Sequence, residues 1–157
     1  MILQTRIGQL LKDLQKLDEL NMWVKVMSER EINTFVVEKI RLRLQKGEMP
    51  DGSLITNQLT GDSFYKMITQ LTYAEIGRRI EAGSHYTMKH TGEFYDSLKL
   101  LEPDADLVEI FGEKKDVNLF EKYGNDLIDL TDENIQELIE KVKEKYLQNI
   151  RQLLRIG

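Results

Sequence analysis

Four residues near the middle of the chain, His85, His90, Glu93 and Asp96, carry the side chains best suited to chemistry. On a helix, His90 and Glu93 share a face three residues apart, so with His85 they could offer two imidazoles and a carboxylate to a zinc-like cation. The spacing is unlike HExxH, which sets two histidines one turn apart on one helix with the acid between them. Gly92, just beyond His90, also weakens the helix that a shared face needs. Exposed polar residues beside a turn are therefore the favoured reading, and a metal-dependent hydrolase is kept only as a third function class.

Acid pairs occur in DADLVE (104–109) and TDEN (131–134), where turns and helix starts favour acids without any catalysis. No glycosidase-like pair can be singled out from 27 acids. The sequence lacks a GxSxG elbow, a Walker-type GxxxxGK[ST] and a GxGxxG loop, so the expectation is a protein that is not an enzyme and takes no cofactor. Arg78 and Arg79, with Lys89 and the two histidines, form the most positive neighbourhood, interrupted by Glu75 and Glu81. These arginines are the candidate phosphate contact, weighed against a solvated helix face or a salt bridge to an acidic partner. Trp23, Tyr73, Tyr86, Tyr95 and Tyr123 are not spaced as a stacking platform and are assigned to core or interface packing.

The bulk numbers narrow the classes further. A chain of 157 residues with 41% hydrophobic content is long enough for one domain with a real core. Its 27 acids against 22 Lys and Arg give a net charge of −5, which speaks against a general nucleic-acid binder. The absence of cysteine excludes disulfides, thiolate catalysis and Cys-based metal sites, and fits a reducing cytoplasm. Arg6, Lys12 and Asp13 interrupt the N-terminal leucines, so no signal peptide is expected there. No run approaches the ~18 apolar residues of a membrane span.

Periodicity gives the elements that would position these residues. Leu3, Ile7, Leu10, Leu14 and Leu17 form the seam of a first helix, widened by Ile2, Leu11 and Leu20, and followed by an apolar patch, MWVKVM. Ser28 and Glu31 read as a capping box for a second helix from near Glu29 through Ile32, Phe35, Val36 and Ile40 to Gly47. Residues 47–61 form a long loop with a Pro-Asp-Gly turn and a short extended piece at 53–56. A third helical region is expected over Asp62–Ala82, ended by Gly83. SLKLLE and LVEIFG flank the turn PDAD as a β-hairpin, a charged loop follows, and LFEKYG is a short helix ending at Gly124. Thr131 caps a terminal helix whose Ile135, Leu138, Ile139, Val142, Tyr146, Ile150 and Leu153 keep one apolar face. At about 25 residues that helix would be roughly 37 Å long. The expected architecture is α+β: a small antiparallel sheet packed with helices and long amphipathic helices at both termini. One domain spans 1–157, with a helical part (1–46), a loop, helix and hairpin part (47–125) and a C-terminal helix (131–155).

Taken in order, PDGSLI (50–55), a helical Tyr/Lys/Arg segment, YTMKHTGEFYDSLKL (86–100), a hairpin ending LVEIFG, and FEKYG before an acid-capped terminal helix form a pattern. It resembles the tailed-bacteriophage virion-morphogenesis proteins, the tail-completion, minor-tail and head–tail-joining subunits. Their signature is an L-x-x-TG-x-[FL]-x-x-S corner entering a strand, then a second strand ending I-G or F-G. Thr91, Gly92, Phe94 and Ser97 match the corner, and Ile110 and Gly112 match the second strand end. The likeness covers roughly 50–155. It departs from the family in lacking the aromatic after the Pro-Asp-Gly turn, and in representing the Lys-rich segment only by Gly77, Arg78, Arg79 and Gly83.

The resemblance implies a structural subunit of the virion, assembled in the host cytoplasm, that forms a homo-oligomeric ring and joins neighbouring neck or tail proteins. It implies no catalysis and no cofactor; a non-specific DNA contact in the ring lumen is a candidate partner, and no membrane is expected. Pro50, Asp51 and Gly52 in loop 47–61, and Lys114 and Lys115 in loop 113–118, are the candidate contact elements. In the corner, Thr91 would cap a short helix, Gly92 would permit a tight backbone, and Phe94 with Leu98 would anchor it while Glu93 and Asp96 face water. The second function class is a cytoplasmic helical binding or regulatory module in which the Leu3–Leu17 seam docks a partner helix.

Overall fold

The computed structural model describes residues 19–66, 83–88, 92–103 and 107–154. In chain order these form α1 (Glu19–Met27), α2 (Arg30–Lys46), α3 (Glu93–Ser97), β1 (Lys99–Leu100), β2 (Ile110–Phe111), α4 (Leu119–Tyr123), a 3₁₀ turn (Asn125–Ile128) and α5 (Asp132–Leu153). The fold is α+β, with one two-stranded antiparallel sheet among the described residues.

The sequence of α2 explains its central place. Ile32, Val36, Ile40 and Leu44 recur every fourth residue, forming a row that is completely buried. Gly47 ends the helix in the left-handed conformation at φ 73°, its N–H bonding back to the last turn. Apolar residues from the hairpin, the loops and the 3₁₀ turn pack on this row, among them Ile55, Phe94, Leu98 and Leu127. A second, smaller cluster joins Val26 and Ile32 to Val142 of α5. Three such side chains buried from water contribute on the order of 1.5–3 kcal/mol each.

The hairpin appears where expected, with Lys99 opposite Phe111 and Leu100 opposite Ile110. Asn33 of α2 accepts from the Leu100 N–H at 2.7 Å, so helix and strand are joined by a hydrogen bond as well as by packing. The short helix α4 also appears, with Asn118 accepting from Glu121 N and Gly124 following its last turn. At α5, Thr131 Oγ1 accepts from Asn134 N at 3.1 Å, as its capping role requires.

The apolar patch MWVKVM lies within α1, where Trp23 stacks on Tyr146 of α5 at 4.1 Å between ring centroids and 9° between planes. Two expectations are corrected. Ser28 and Glu31 make no capping box, because the Ser28 hydroxyl donates to Val24 O at 2.7 Å and the residue at the cap is Glu29. Glu31 instead meets Lys141 at 2.7 Å and Lys145 at 2.5 Å, tying α2 to α5. Residues 62–66 are not helical: Phe64 pairs antiparallel with His85, and Tyr65 exchanges backbone hydrogen bonds with Ser84 and Gly83. The Leu3–Leu17 seam of the expected first helix, residues 67–82 and residues 104–106 of the PDAD turn lie outside the described residues.

The apolar face of α5 is only partly covered. Val142 is buried and Leu138 and Tyr146 pack beside it, whereas Ile135, Ile139, Leu147 and Leu153 remain 40, 39, 51 and 48% exposed.

Candidate functional site

The corner is built as one interlocked unit. Gly92 stands at φ 88°, a value that suits glycine, and leads into α3. Phe94 and Leu98 are buried, and Glu93 and Asp96 are exposed. Ser97 Oγ donates to Phe94 O at 2.7 Å and accepts from Glu113 N at 2.7 Å, spanning the hairpin from its first strand's entry to its second strand's exit. At Gly112 an added Cβ would lie 2.9 Å from Leu98 Cδ2 and 3.0 Å from Phe94 Cε2. The glycine that ends β2 is therefore required by the same two side chains that anchor the corner. Thr91 and His90 lie outside the described residues, as do Arg78, Arg79 and Lys89.

The two candidate contact loops have different fates. Pro50, Asp51 and Gly52 form a self-contained turn in which Asp51 Oδ1 accepts from Ser53 N at 2.9 Å and Ser53 Oγ at 2.6 Å. The later part of that loop lies against α4, where Gln58 N donates to Lys122 O at 2.8 Å. Lys114 pairs with Val117 across a tight turn whose Asp116 has φ 62°, while Lys115 is exposed.

Between these elements lies a cleft of about 330 Å³. Tyr65, Tyr86 and Tyr123 line it in two edge-on contacts, with centroids 4.9 and 5.5 Å apart, and Val117 and Leu119 add apolar wall. Lys66, Lys114 and Lys122 bring three ammonium groups, against Asp62 as the one carboxylate of the lining. Asp62 holds Lys66 at 2.7 Å, and this hydrogen bond pushes the carboxyl below its ordinary pKa and the ammonium above it. Burial pushes the Lys114 ammonium pKa down, the Glu93 charge opposes that shift, and the Lys122 charge adds to it more weakly. Burial also pushes the Tyr123 hydroxyl up to about 12, with Tyr86 and Tyr65 adding to the effect, so it stays protonated near neutrality. The cleft is electropositive and rich in donors within an acidic chain.

Asn57, 8% exposed, shapes its rim. Its backbone bonds to Asp62, Thr60 and Gly61, and its side chain accepts from Leu59 N at 3.0 Å. Of this lining the sequence marks only Lys114 as a contact residue, with Tyr86 and Tyr123 expected in core or interface packing. Lys66, Lys122 and Asn57 carried no signal, because their meeting depends on loop 57–66 lying against α4. The candidate metal set cannot be placed as a whole, since His90 lies outside the described residues; among the described residues no group of three or more His, Asp or Glu side chains could hold an ion. His85 packs instead at the α2 terminus, where a Cβ on Gly47 would fall 2.2 Å from its Cδ2 atom. No protein-family model matches the chain, and neither a curated protein nor a solved structure does. Among the described residues no helix is long and apolar enough to cross a membrane.

Proposed function

We propose that this chain is a non-enzymatic structural subunit of a phage or prophage virion, a neck, tail-completion or minor-tail protein that assembles as a homo-oligomeric ring. The observation that carries this reading is the corner. Gly92, Phe94, Ser97 and Gly112, which carry the sequence resemblance, lie along one continuous structural unit although the strand-end glycine is remote in sequence. Exposed Ile135, Ile139, Leu147 and Leu153 on α5 supply apolar surface suited to subunit contact.

Light scattering and electron microscopy of the purified full chain test the reading. Rings of one subunit number that dissociate in an Ile139→Glu, Leu147→Glu variant are expected. A chain that stays monomeric when concentrated, encoded away from portal, capsid and tail genes, would overturn it. A monomer whose 1–18 segment captures a helical partner would favour the regulatory-module class instead.

A further inference from the structure

The cleft beside α4 holds an electrostatic imbalance that the virion reading does not use. Lys66 has its carboxylate in Asp62, but among the described residues neither Lys114 nor Lys122 has one within ion-pair distance. These two lysines line the same small space, and Lys114 is half-withdrawn from water. Partial withdrawal of the Lys114 charge from water, with Lys122 close by, disfavours the empty protein even with the Glu93 charge acting against it, and a bound anion reverses the sign of that contribution. The frame around them is fixed by backbone bonds: Gln58 N to Lys122 O at 2.8 Å, and Asn57 N to Asp62 O at 2.8 Å.

We propose that this cleft binds a small phosphomonoester, its phosphate held by Lys114 and Lys122 and its body lying against Tyr86 and Tyr123. The match is one of charge, size and surface. A phosphomonoester carries close to two negative charges near neutral pH and three acceptor oxygens, which suits two ammonium groups without an ion-pair partner among the described residues better than a single carboxylate does. A volume of about 330 Å³ exceeds what a bare phosphate fills and falls in the range of small-ligand sites. The remaining wall is tyrosine, Val117 and Leu119, suited to a sugar or planar ring. The proposal stands apart from the ring reading, since the lining residues it uses all belong to one chain.

Calorimetric titration of the full chain with AMP, adenosine and inorganic phosphate tests it, with thermal unfolding as a second readout. AMP is expected to bind saturably, with adenosine weaker by roughly tenfold or more through loss of charge-assisted hydrogen bonds. Lys114→Gln and Lys122→Gln should each weaken AMP by roughly tenfold, while Lys115→Gln leaves it unchanged. Without ligand, Lys114→Gln should melt at a higher temperature than the parent, because a partly desolvated charge is gone. A merely structural lysine would give the opposite shift, and that result would overturn the proposal. So would absence of saturable binding of AMP up to about 10 mM, or equal affinity for adenosine. Tighter binding of a single-stranded oligonucleotide lacking terminal phosphates than of AMP would also overturn it, by identifying a nucleic-acid groove.

Discussion

Replacing Arg43 by methionine tests how the two halves of the fold are joined. Arg43 sits on the buried face of α2, 5% exposed, one turn from the helix end. Its guanidinium donates to Glu48 O at 2.5 Å, Leu127 O at 2.6 Å and Asp129 O at 2.9 Å. One side chain therefore serves carbonyls of the loop after α2 and of the 3₁₀ turn before α5. Burial holds its pKa below the ordinary guanidinium value, with the Asp129, Glu48 and Tyr95 groups opposing that shift. Methionine keeps the stem's packing and leaves those carbonyls without their donor. A hydrogen bond to a charged group contributes about 1.5–3 kcal/mol, but the three share one cation and do not add. Relief of guanidinium desolvation offsets part of the loss, and the net destabilisation expected is about 3–4 kcal/mol. With a urea slope of about 2 kcal/mol/M, the circular-dichroism midpoint should fall by roughly 1.5–2 M. Arg41→Met is the control: Arg41 places two donors on the single carbonyl of Tyr95 near the surface and should cost about 1 kcal/mol. A loss below about 1 kcal/mol for Arg43→Met would refute the reasoning, since water would then be replacing the guanidinium.

Gly47→Ala should destabilise by at least about 2 kcal/mol in the same denaturation assay, because the new methyl meets Tyr86 O at 2.8 Å as well as the His85 ring, in a left-handed backbone. Gly92→Val should cost about 1–2 kcal/mol from its φ of 88° alone, whereas exposed Glu93→Gln should stay within about 0.5 kcal/mol; the reverse order would revive a catalytic role for the acid. Hydrogen bonds from Lys141 and then Lys145 lower the Glu31 pKa from 4.5 to about 2. Its stabilising contribution is thus present above pH 4.5 and lost as pH falls through about 2, so Glu31→Gln should flatten the melting temperature across that window. The exposed pair is screened, and added salt should shrink the difference between parent and variant; a difference that ignores both pH and salt would contradict the ion-pair account.

The parts of the fold legible in the sequence were those decided by neighbours a few residues away. Thr131 caps α5 through a bond to Asn134, and Gly47 ends α2 by adopting a left-handed φ, so both ends could be read from residue type and the adjoining apolar period. The misreadings share the opposite cause. Ser28 and Glu31 have the spacing of a capping box, but each found a different partner: Val24 O for the hydroxyl, and the α5 lysines for the carboxylate. Phe64 and Tyr65 fit a helical period, yet the segment around Ser84 offered their backbone antiparallel partners, and no local propensity reports that pairing.

The cleft carries the same lesson to function. Lys114 and Lys122 are eight positions apart in sequence, and each taken alone is an unremarkable surface lysine. What gives them meaning is the route between them: the tight turn closed by Lys114 and Val117, then Asn118 starting α4. That route returns the second lysine to the space the first one lines, while loop 57–62, bonded to the α4 backbone, contributes Asn57, Thr60 and Asp62 to the same space. The acidic partner that would neutralise such a pair is at hand for Lys66, and at the α2–α5 contact for Lys141 and Lys145. An acidic chain has carboxylates to spare, yet among the described residues none lies within ion-pair distance of Lys114 or Lys122 and Glu93 acts on Lys114 only from farther away, so the proposed anion would supply the countercharge these two lysines lack there.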